Sequence, residues 1–322
     1  MIVSVTGASG FVGSNLAHEL LKKGHSVRIL ARKPESVEKF RKLNAQIFQG
    51  DLVNGELDRF VDNSEVLFHC AAKVGEWGTK NEFYQSNVIG TRRLMESALD
   101  RKVKRVVYLS TVDVYGQRNH AGENESSPLM KCPHHYGASK LEAELLVRRM
   151  VAEQGLPAVI VQPGYIYGPG DNALIPKLKK VMAKKSLLTC NGGKNNIGLV
   201  HIRDLCDLLC RAGFHDVPKG KVYIAVGDEH ITFANLISEL QEIYGLPGPV
   251  FDIPFPIVSG LAYASEAVFS FIGKKETPLI TVMGIKILHY DYGFSNHRAK
   301  EELGWVPKIT LREGLRELAS IN

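Results

Sequence analysis

The segment that decides the fold is residues 6–13, which read Thr-Gly-Ala-Ser-Gly-Phe-Val-Gly. An apolar run predicts a strand over Ile2–Thr6, and a helical pattern follows over Phe11–Lys23. Glycines at this spacing permit a tight turn, a close backbone approach and helix–strand packing. Free N–H groups and the dipole at the start of the helix favour an anion such as a pyrophosphate. We therefore predict a dinucleotide site here, lined by Gly7, Ser9, Gly10, Phe11, Val12 and Gly13.

The rest of the first half alternates short apolar runs with helical patterns. Further predicted strands are Ser26–Ala31, Ala45–Gln49, Glu65–Cys70, Arg105–Ser110 and Ala158–Gln162, and further helices are Asn81–Asp100 and Tyr136–Gln154. Strands separated by helices predict a parallel sheet with helices on both faces. The expected fold class is α/β, a Rossmann doubly wound sheet with ligands at the carboxyl ends of its strands.

After Pro169 this alternation weakens. A basic helix is predicted over 173–184, a short strand near 198–200, another helix from Arg203 and one more strand over 221–225, after which helices dominate. We expect residues 1–170 to form the dinucleotide-binding core, with 198–227 returning to it. Residues 171–197 and 228–322 are expected to form a smaller, mostly helical substrate-binding lobe.

The end of the second predicted strand indicates which dinucleotide binds. An acidic residue there would accept a hydrogen bond from a ribose 2′-hydroxyl, as in NAD sites. This segment instead ends in Arg32 and Lys33, which can bind a 2′-phosphate. The alternative is two exposed cations at a strand end. We predict NADP (NADPH), with NAD the weaker alternative, and expect Asp51 and Leu52 after the third strand to meet the adenine ring.

Tyr136 and Lys140 carry the predicted chemistry. They stand four residues apart at the start of a helix, so they share one face. A tyrosine titrates near pH ~10, and a nearby ammonium lowers that value. Tyr136 can then exchange a proton with an alcohol or alkoxide. A hydroxyl at the end of the fifth strand can hold the substrate oxygen, and Thr111 is the first choice for it, with Ser110 second.

Composition limits the classes of function. The 322 residues are 44% hydrophobic and 23% charged, which is typical of a globular enzyme, and the net charge of +6 is too scattered to indicate nucleic acid. The five cysteines form no CxxC pair, so neither a disulfide framework nor a metal site is predicted. The N-terminal residues lack a signal-peptide pattern. We expect a cytoplasmic enzyme with a small-molecule substrate, and a homodimer stays open.

Two later segments have more than one interpretation. The apolar stretch 253–272 approaches transmembrane length, but Pro254, Pro256 and Glu266 interrupt it. An apolar substrate lid is the preferred interpretation, and membrane contact is the minor one. The lysines between 177 and 185 are interpreted as a solvated helix face, with attraction of an anionic substrate as the alternative.

Together these motifs resemble the extended short-chain dehydrogenase/reductases over nearly the whole chain. Other family-like segments are Gly50-Asp51-Leu52, Ala71-Ala72-Lys73, Asn87–Thr91, Pro163–Pro169 and His201–Leu205. The resemblance implies a Thr111, Tyr136 and Lys140 triad, with Lys140 also holding the nicotinamide ribose. It further implies a cofactor lined by Ala71, Ala72, Lys73 and Asn87, with Pro163 and Gly164 near the nicotinamide. His135 stands where the family usually has proline, and Gln162 where arginine is usual.

Within that family the chain looks like the branch of 3β-hydroxysteroid dehydrogenases and dihydroflavonol reductases. Residues 68–78 and the segment 294–307 carry this likeness. Ile197 stands where nucleotide-sugar enzymes usually have an arginine that grips the diphosphate. The resemblance implies an NADP(H)-dependent oxidoreductase that interconverts a secondary alcohol and a ketone on a largely apolar substrate, steroid-, flavonoid- or ketoacid-like.

Two other classes stay open. A nucleotide-sugar epimerase or dehydratase uses the same hydride transfer without net use of cofactor, and Asp113 keeps a dehydratase in view because an acid near Thr111 can drive elimination. A protein that only binds NADP has no use for an intact Thr-Tyr-Lys set. Net consumption of NADPH separates the first class from the second, and any turnover excludes the third.

Overall fold

The structure, a computed structural model, describes residues 1–75, 77–249, 251–272, 278 and 281–321. Glu76, part of the 68–78 segment discussed above, lies outside the described residues. The strands, in chain order, are β1 Ile2–Thr6, β2 Ser26–Ala31, β3 Gln46–Gln49, β4 Val66–His69, β5 Arg105–Leu109, β6 His120–Glu123, β7 Ala158–Pro163, β8 Tyr165–Tyr167, β9 Leu188–Thr189, β10 Leu199–His201, β11 Val222–Ala225, β12 Phe251–Asp252 and β13 Tyr292–Phe294.

The helices follow the same chain order. They are α1 Phe11–Lys22, α2 Glu38–Arg41, α3 Asp58–Val61, α4 Lys80–Tyr84, α5 Gly90–Asp100, α6 His135–Gln154, α7 Leu174–Ala183, α8 Ile202–Phe214, α9 Phe233–Tyr244, α10 Phe255–Phe271, α11 Val282–Ile287, α12 His297–Leu303 and α13 Leu311–Ile321. A π-helix over Gln85–Ile89 joins α4 to α5, and short 3₁₀ helices span Pro34–Val37, Val112–Tyr115 and Asn191–Gly193.

Seven strands form one parallel sheet in the order β11-β7-β5-β4-β1-β2-β3. One face packs on α1 and α8 through apolar side chains such as Leu16, Leu20 and Leu208. The other face packs on α5 and α6 through Leu94 and Val147. Burial on both faces explains why these strands read as near-continuous apolar runs. The predicted Rossmann-like, doubly wound α/β sheet is confirmed.

The predicted helix over Asn81–Asp100 is wrong in its middle. The chain is α-helical to Tyr84, widens into the π-helix, and resumes α-helical geometry at Gly90. A π-turn holds one extra residue, so its hydrogen-bond ladder breaks locally, and such turns are frequent at functional sites. The apolar periodicity of the sequence carried no sign of this interruption.

Three pairs of short parallel strands lie outside the main sheet, namely β6 with β13, β8 with β10, and β9 with β12. Each joins segments that are far apart in sequence. The pair β6–β13 brings Tyr292 back to the loop that follows β5, where the predicted catalytic residues begin. None of these pairings was predicted, because two or three residues give no usable periodicity.

The segment expected to act as a lid is mostly the single helix α10. Val258 and Ala262 on one side are buried with Cys190 and Ile285. On the other side, more than half of the surface of Ile257, Leu261, Val268 and Phe271 is exposed. Within the described residues, no helix has both the length and the apolar composition needed to cross a membrane. A role for α10 as a substrate lid stays a prediction.

Candidate active site

The glycine turn between β1 and α1 has the geometry of a phosphate cradle. Gly7 has a φ of 80°, and a Cβ on it would lie 2.7 Å from the backbone nitrogen of Ala71. A Cβ on Gly13 would lie 2.4 Å from the carbonyl oxygen of Gly7, so larger residues at either position would force the chain apart. Gly10 caps α1 without a side-chain acceptor, and Ser9 and Gly10 are exposed. The first N–H groups of α1 are therefore open to an anion.

Arg32 and Lys33 follow β2, which pairs with β1 beside this turn. Both side chains are exposed, and within the described ranges neither forms an ion pair. Asp51, after β3, uses one carboxylate oxygen to accept the backbone N–H groups of Val53 at 2.7 Å and Asn54 at 3.3 Å. Asp51 therefore shapes the turn that carries Leu52, and contact of either residue with an adenine ring stays a prediction.

Asn87 holds the segment Ala71-Ala72-Lys73 after β4. Its Oδ1 accepts the Lys73 backbone N–H at 2.7 Å, and its Nδ2 donates to the Lys73 carbonyl at 3.0 Å and to the Ser139 hydroxyl at 2.9 Å. Both amide hydrogens are thus used within the protein. Ala71 donates its N–H to the Thr6 hydroxyl at 3.2 Å. Asn87 therefore positions the predicted cofactor wall and ties it to α6, whereas direct contact with a cofactor stays a prediction.

Thr111 and Tyr136 meet where β5 ends and α6 begins. Thr111 caps the short 3₁₀ helix after β5 and is buried, with its hydroxyl accepting the Asp113 N–H at 3.2 Å. His134 caps α6, with its Nδ1 accepting the Gly137 N–H at 3.0 Å. His135 is then the first helical residue, a position that favours proline but also accepts other residues. The unusual histidine therefore leaves the start of the helix intact.

Burial governs the proton affinity of Tyr136. Burial and the negative charge of Asp113 raise the pKa of Tyr136, and a hydrogen bond with the Thr111 side chain acts in the opposite direction. Lys140 donates instead to the Tyr108 hydroxyl at 2.9 Å and to the Leu109 carbonyl at 2.7 Å. The expectation that Lys140 lowers the Tyr136 pKa is therefore wrong for this arrangement. The phenol is therefore protonated at neutral pH and has a proton to donate, although the raised pKa makes that donation less favourable.

Two further ionisable groups share this end of the sheet. Burial lowers the pKa of Lys140 to about 7, although the negative charge of Glu144 partly opposes the shift. Burial also raises the pKa of Asp113 to about 6, and the Asp113 side chain lies 3.9 Å from Nε2 of His134. Strongly shifted groups gathered at one point are a feature of active sites.

The hydroxyls of Ser110 and Thr111 have different hydrogen-bond partners. This difference distinguishes the two candidates for the hydroxyl that holds the substrate oxygen. Ser110 donates to the fully buried Glu144 at 2.5 Å. The same carboxylate accepts Nη2 of Arg148 at 2.7 Å and Nε2 of Gln162 at 2.9 Å. The Ser110 hydroxyl is thus committed to the protein, which favours Thr111 for the substrate. Gln162 stands where an arginine is usual, and Arg148 supplies the positive charge that such an arginine would bring to Glu144.

Close packing restricts which side chains can stand at three predicted positions, namely Pro163, Gly164 and Ile197. Pro163 ends β7 and is buried, and a Cβ on Gly164 would lie 2.1 Å from the Gly198 carbonyl oxygen. Ile197 is 2% exposed and packs in the core of the lobe with Phe233 and Leu240. Its side chain therefore belongs to an apolar core rather than to a surface that could face a diphosphate.

The chain belongs to the NAD dependent epimerase/dehydratase family, whose model matches residues 3–225. This match covers all seven strands of the main sheet apart from Ile2, and it includes the glycine turn and the Thr111–Tyr136 region. Families of this kind bind a nicotinamide dinucleotide, and the chain is accordingly an oxidoreductase or an epimerase/dehydratase.

Two reductases and one solved epimerase structure are similar to it. A 4-hydroxy-2-methyl-3-oxo-4-farnesyl-3,4-dihydroquinoline-1-oxide ketoreductase of Stigmatella aurantiaca is 30% identical over 98% of this chain and 94% of its own length. A putative dihydroflavonol 4-reductase of Synechocystis sp. is 31% identical over 97% and 92%. A UDP-glucuronic acid 4-epimerase from Bacillus cereus, solved with UDP-glucuronic acid and NAD, superimposes with a TM-score of 0.79 at 22% identity, covering 99% of this chain and 98% of that one. At 22% identity, the similarity to this epimerase structure shows only that the fold is shared.

Proposed function

We propose that this protein is an NADP(H)-dependent ketoreductase that interconverts a secondary alcohol and a ketone on a largely apolar substrate. The observation that carries the proposal is the hydrogen bond between the buried Thr111 and the half-buried Tyr136 at the carboxyl end of β5, on the same sheet edge as the glycine turn. A positioned hydroxyl and an acid are what carbonyl reduction requires. The family membership and the two reductase relatives support the same conclusion.

The chemistry divides among three side chains. The dinucleotide, when bound, supplies or accepts the hydride. Tyr136 donates its phenolic proton to the substrate oxygen as negative charge develops there, and in the oxidative direction it accepts that proton. Thr111 donates a hydrogen bond to the same oxygen and holds it beside Tyr136. Lys140, anchored to Tyr108 and Leu109, would bind the ribose hydroxyls.

Two features support an apolar substrate. Ile197 is buried in the lobe core, so it leaves a diphosphate without the usual counter-charge at that position. Among the described residues, helix α10 leaves more than half of the surface of Ile257, Leu261 and Phe271 exposed. Burying apolar substrate surface on such a helix contributes about 25 cal/mol per Å². Rings or alkyl chains would therefore bind better than a charged nucleotide sugar.

Arg32 provides a test of the cofactor choice. We expect the protein to bind NADPH more tightly than NADH, and Arg32→Ala to remove most of that difference. One charge-assisted hydrogen bond contributes about 1.5–3 kcal/mol, which is roughly a tenfold to hundredfold change in affinity. Fluorescence titration of both nucleotides measures the two dissociation constants.

Arg41→Ala is the matched control for this titration. Arg41 is also exposed and lies nine residues along the chain, but it forms an ion pair with Glu38 at 3.2 Å. Its loss should change both affinities equally and only slightly. Equal binding of NADPH and NADH by the unaltered protein would contradict the NADP assignment and leave the ketoreductase proposal standing on an NAD cofactor.

The substrate class is tested by a panel of apolar ketones beside UDP- and dTDP-sugars. We expect apolar ketones to consume NADPH, followed at the nicotinamide absorbance, or to raise the melting temperature of the NADP-bound protein. Nucleotide sugars should do neither. A melting shift with a nucleotide sugar and none with any ketone would instead establish the second candidate function, an epimerase or dehydratase, which the acid Asp113 beside Tyr136 favours.

A further inference from the structure

Two neighbouring tyrosines, Tyr165 and Tyr292, bury their hydroxyl oxygens away from solvent. Tyr165 begins β8 and Tyr292 begins β13, and their rings meet edge to face with centroids 5.2 Å apart. Tyr292 is 1% exposed. Among the described residues the two buried hydroxyls interact with each other, without the geometry of a full hydrogen bond. Because only one of them can donate to the other, the second O–H is left without an acceptor, which is destabilising and requires an explanation.

Asp113 lies at the same edge of the sheet as this pair. β5 and β7 pair with Leu109 opposite Val161, so Asp113 and Tyr165 each follow four residues after the same point of the sheet. Phe294, two residues after Tyr292, packs on the Tyr115 ring with centroids 5.5 Å apart, which brings β13 to the segment that carries Asp113.

The Asp113 side chain is buried, its charge raises the pKa of both tyrosines, and Nε2 of His134 lies 3.9 Å from its carboxylate. Because Nδ1 of His134 accepts the Gly137 N–H, the ring proton is on Nε2 and faces Asp113. The His134 ring also stacks on Tyr136, with centroids 6.2 Å apart.

We propose that Tyr165, Tyr292 and Asp113 form a subsite that binds a second oxygen of the substrate, an alcohol or enol hydroxyl close to the carbon that undergoes hydride transfer. This inference rests on the proposed ketoreductase function and narrows its substrate to hydroxyketones and enolisable dicarbonyl compounds. Such a hydroxyl donates to the Asp113 carboxylate and accepts from a tyrosine hydroxyl, so it supplies both kinds of missing partner.

The negative charge of Asp113 determines which kind of substrate oxygen can bind in the subsite. A carboxylate or phosphate in the same place would face Asp113 at short range without a cation among the three side chains, and like charges at short range in a buried site repel strongly. A bare alkyl chain would leave one of the two tyrosine O–H groups without an acceptor. An uncharged hydroxyl avoids both costs. The subsite therefore selects for a neutral, polar group on an otherwise apolar substrate.

The test compares two substrates in two variants. The substrates are the best apolar ketone of the panel and the same ketone with a hydroxyl on its β-carbon, and the variants are Tyr165→Phe and Tyr292→Phe. We expect KM for the hydroxyketone to rise about two- to tenfold in each variant, as for one lost hydrogen bond, while KM for the plain ketone stays unchanged. The melting temperature of either variant should change little, because each loses a hydroxyl that forms no hydrogen bond of good geometry among the described residues.

Tyr244→Phe is the matched control, since the Tyr244 hydroxyl donates to the Leu315 carbonyl at 3.2 Å, away from this group. It should alter neither KM. Asp113→Asn should in turn admit the analogue that carries a carboxylate in place of the hydroxyl. Equal effects of Tyr165→Phe and Tyr292→Phe on both ketones, or no effect on either, would overturn the inference.

Failure of the proposed function gives a different result. If no ketone consumes NADPH, melting temperatures of the NADP-bound protein decide the matter. A larger shift with the hydroxyketone than with the plain ketone, lost in Tyr292→Phe, upholds the subsite, and equal shifts overturn it.

Discussion

Tyr136→Phe should lower the turnover number for ketone reduction by about 10²–10⁴-fold. The change removes one hydroxyl and keeps the ring that packs at the start of α6, so the affinity for NADPH and the melting temperature should stay close to those of the unaltered protein. The loss is large because the substrate oxygen then gains negative charge without a proton donor at hydrogen-bond distance. Steady-state kinetics and a nucleotide titration on the same preparation measure both quantities.

Tyr244→Phe controls for this change. Tyr244 lies on α9, and its hydroxyl donates to the Leu315 carbonyl at 3.2 Å, so its removal should leave turnover intact. Turnover of Tyr136→Phe equal to that of the unaltered protein would exclude Tyr136 as the acid. Parallel loss of turnover and of NADPH binding would point to a structural role for the hydroxyl.

Glu144→Ala should reduce the free energy of unfolding by about 2–4 kcal/mol. The substitution leaves Ser110 and Gln162 without their buried acceptor and deprives Arg148 of its counter-charge. Because the Gln162 side chain also accepts the Tyr115 hydroxyl at 2.8 Å, the loss extends to the wall behind Thr111. Urea denaturation, followed by circular dichroism, gives the value.

Glu142→Ala is the comparison for that measurement. Glu142 lies two residues away on the same helix and is exposed, so its loss should change stability by no more than about 0.5 kcal/mol. Equal effects of the two substitutions would mean that the buried carboxylate contributes nothing beyond helix propensity.

The parts of the molecule that the sequence predicts well are those with local patterns. The apolar strand runs and the residue 6–13 turn specify the sheet, since a buried parallel strand must be apolar and a phosphate turn must have glycine where a Cβ would collide. The Tyr136–Lys140 spacing likewise places both residues on one helical face.

The parts that escaped prediction depend on contacts between distant segments. Tyr292 reaches the site only because β13 pairs with β6, which is more than 150 residues earlier in the chain. In the sequence, Glu144 has the pattern of an ordinary helix residue. Only the structure shows that Ser110, Arg148 and Gln162 all donate hydrogen bonds to its carboxylate. The Tyr136 pKa was misjudged for the same reason, because helical spacing specifies neither burial nor the neighbouring charge of Asp113.

Burial of Lys140 links the stability of the protein to pH. Burial lowers the pKa of Lys140 from 10.5 to about 7. Between pH 7 and pH 10.5, Lys140 is therefore protonated to a smaller extent in the folded chain than in the unfolded chain. The contribution of Lys140 to stability is therefore fully present above pH 10.5 and is lost as the pH falls toward 7. An anionic dinucleotide beside the amine favours its charged form, so cofactor binding at pH ~8 should draw a proton from the buffer. The heat of binding should then change with the ionisation enthalpy of the buffer, and Lys140→Met should abolish that dependence.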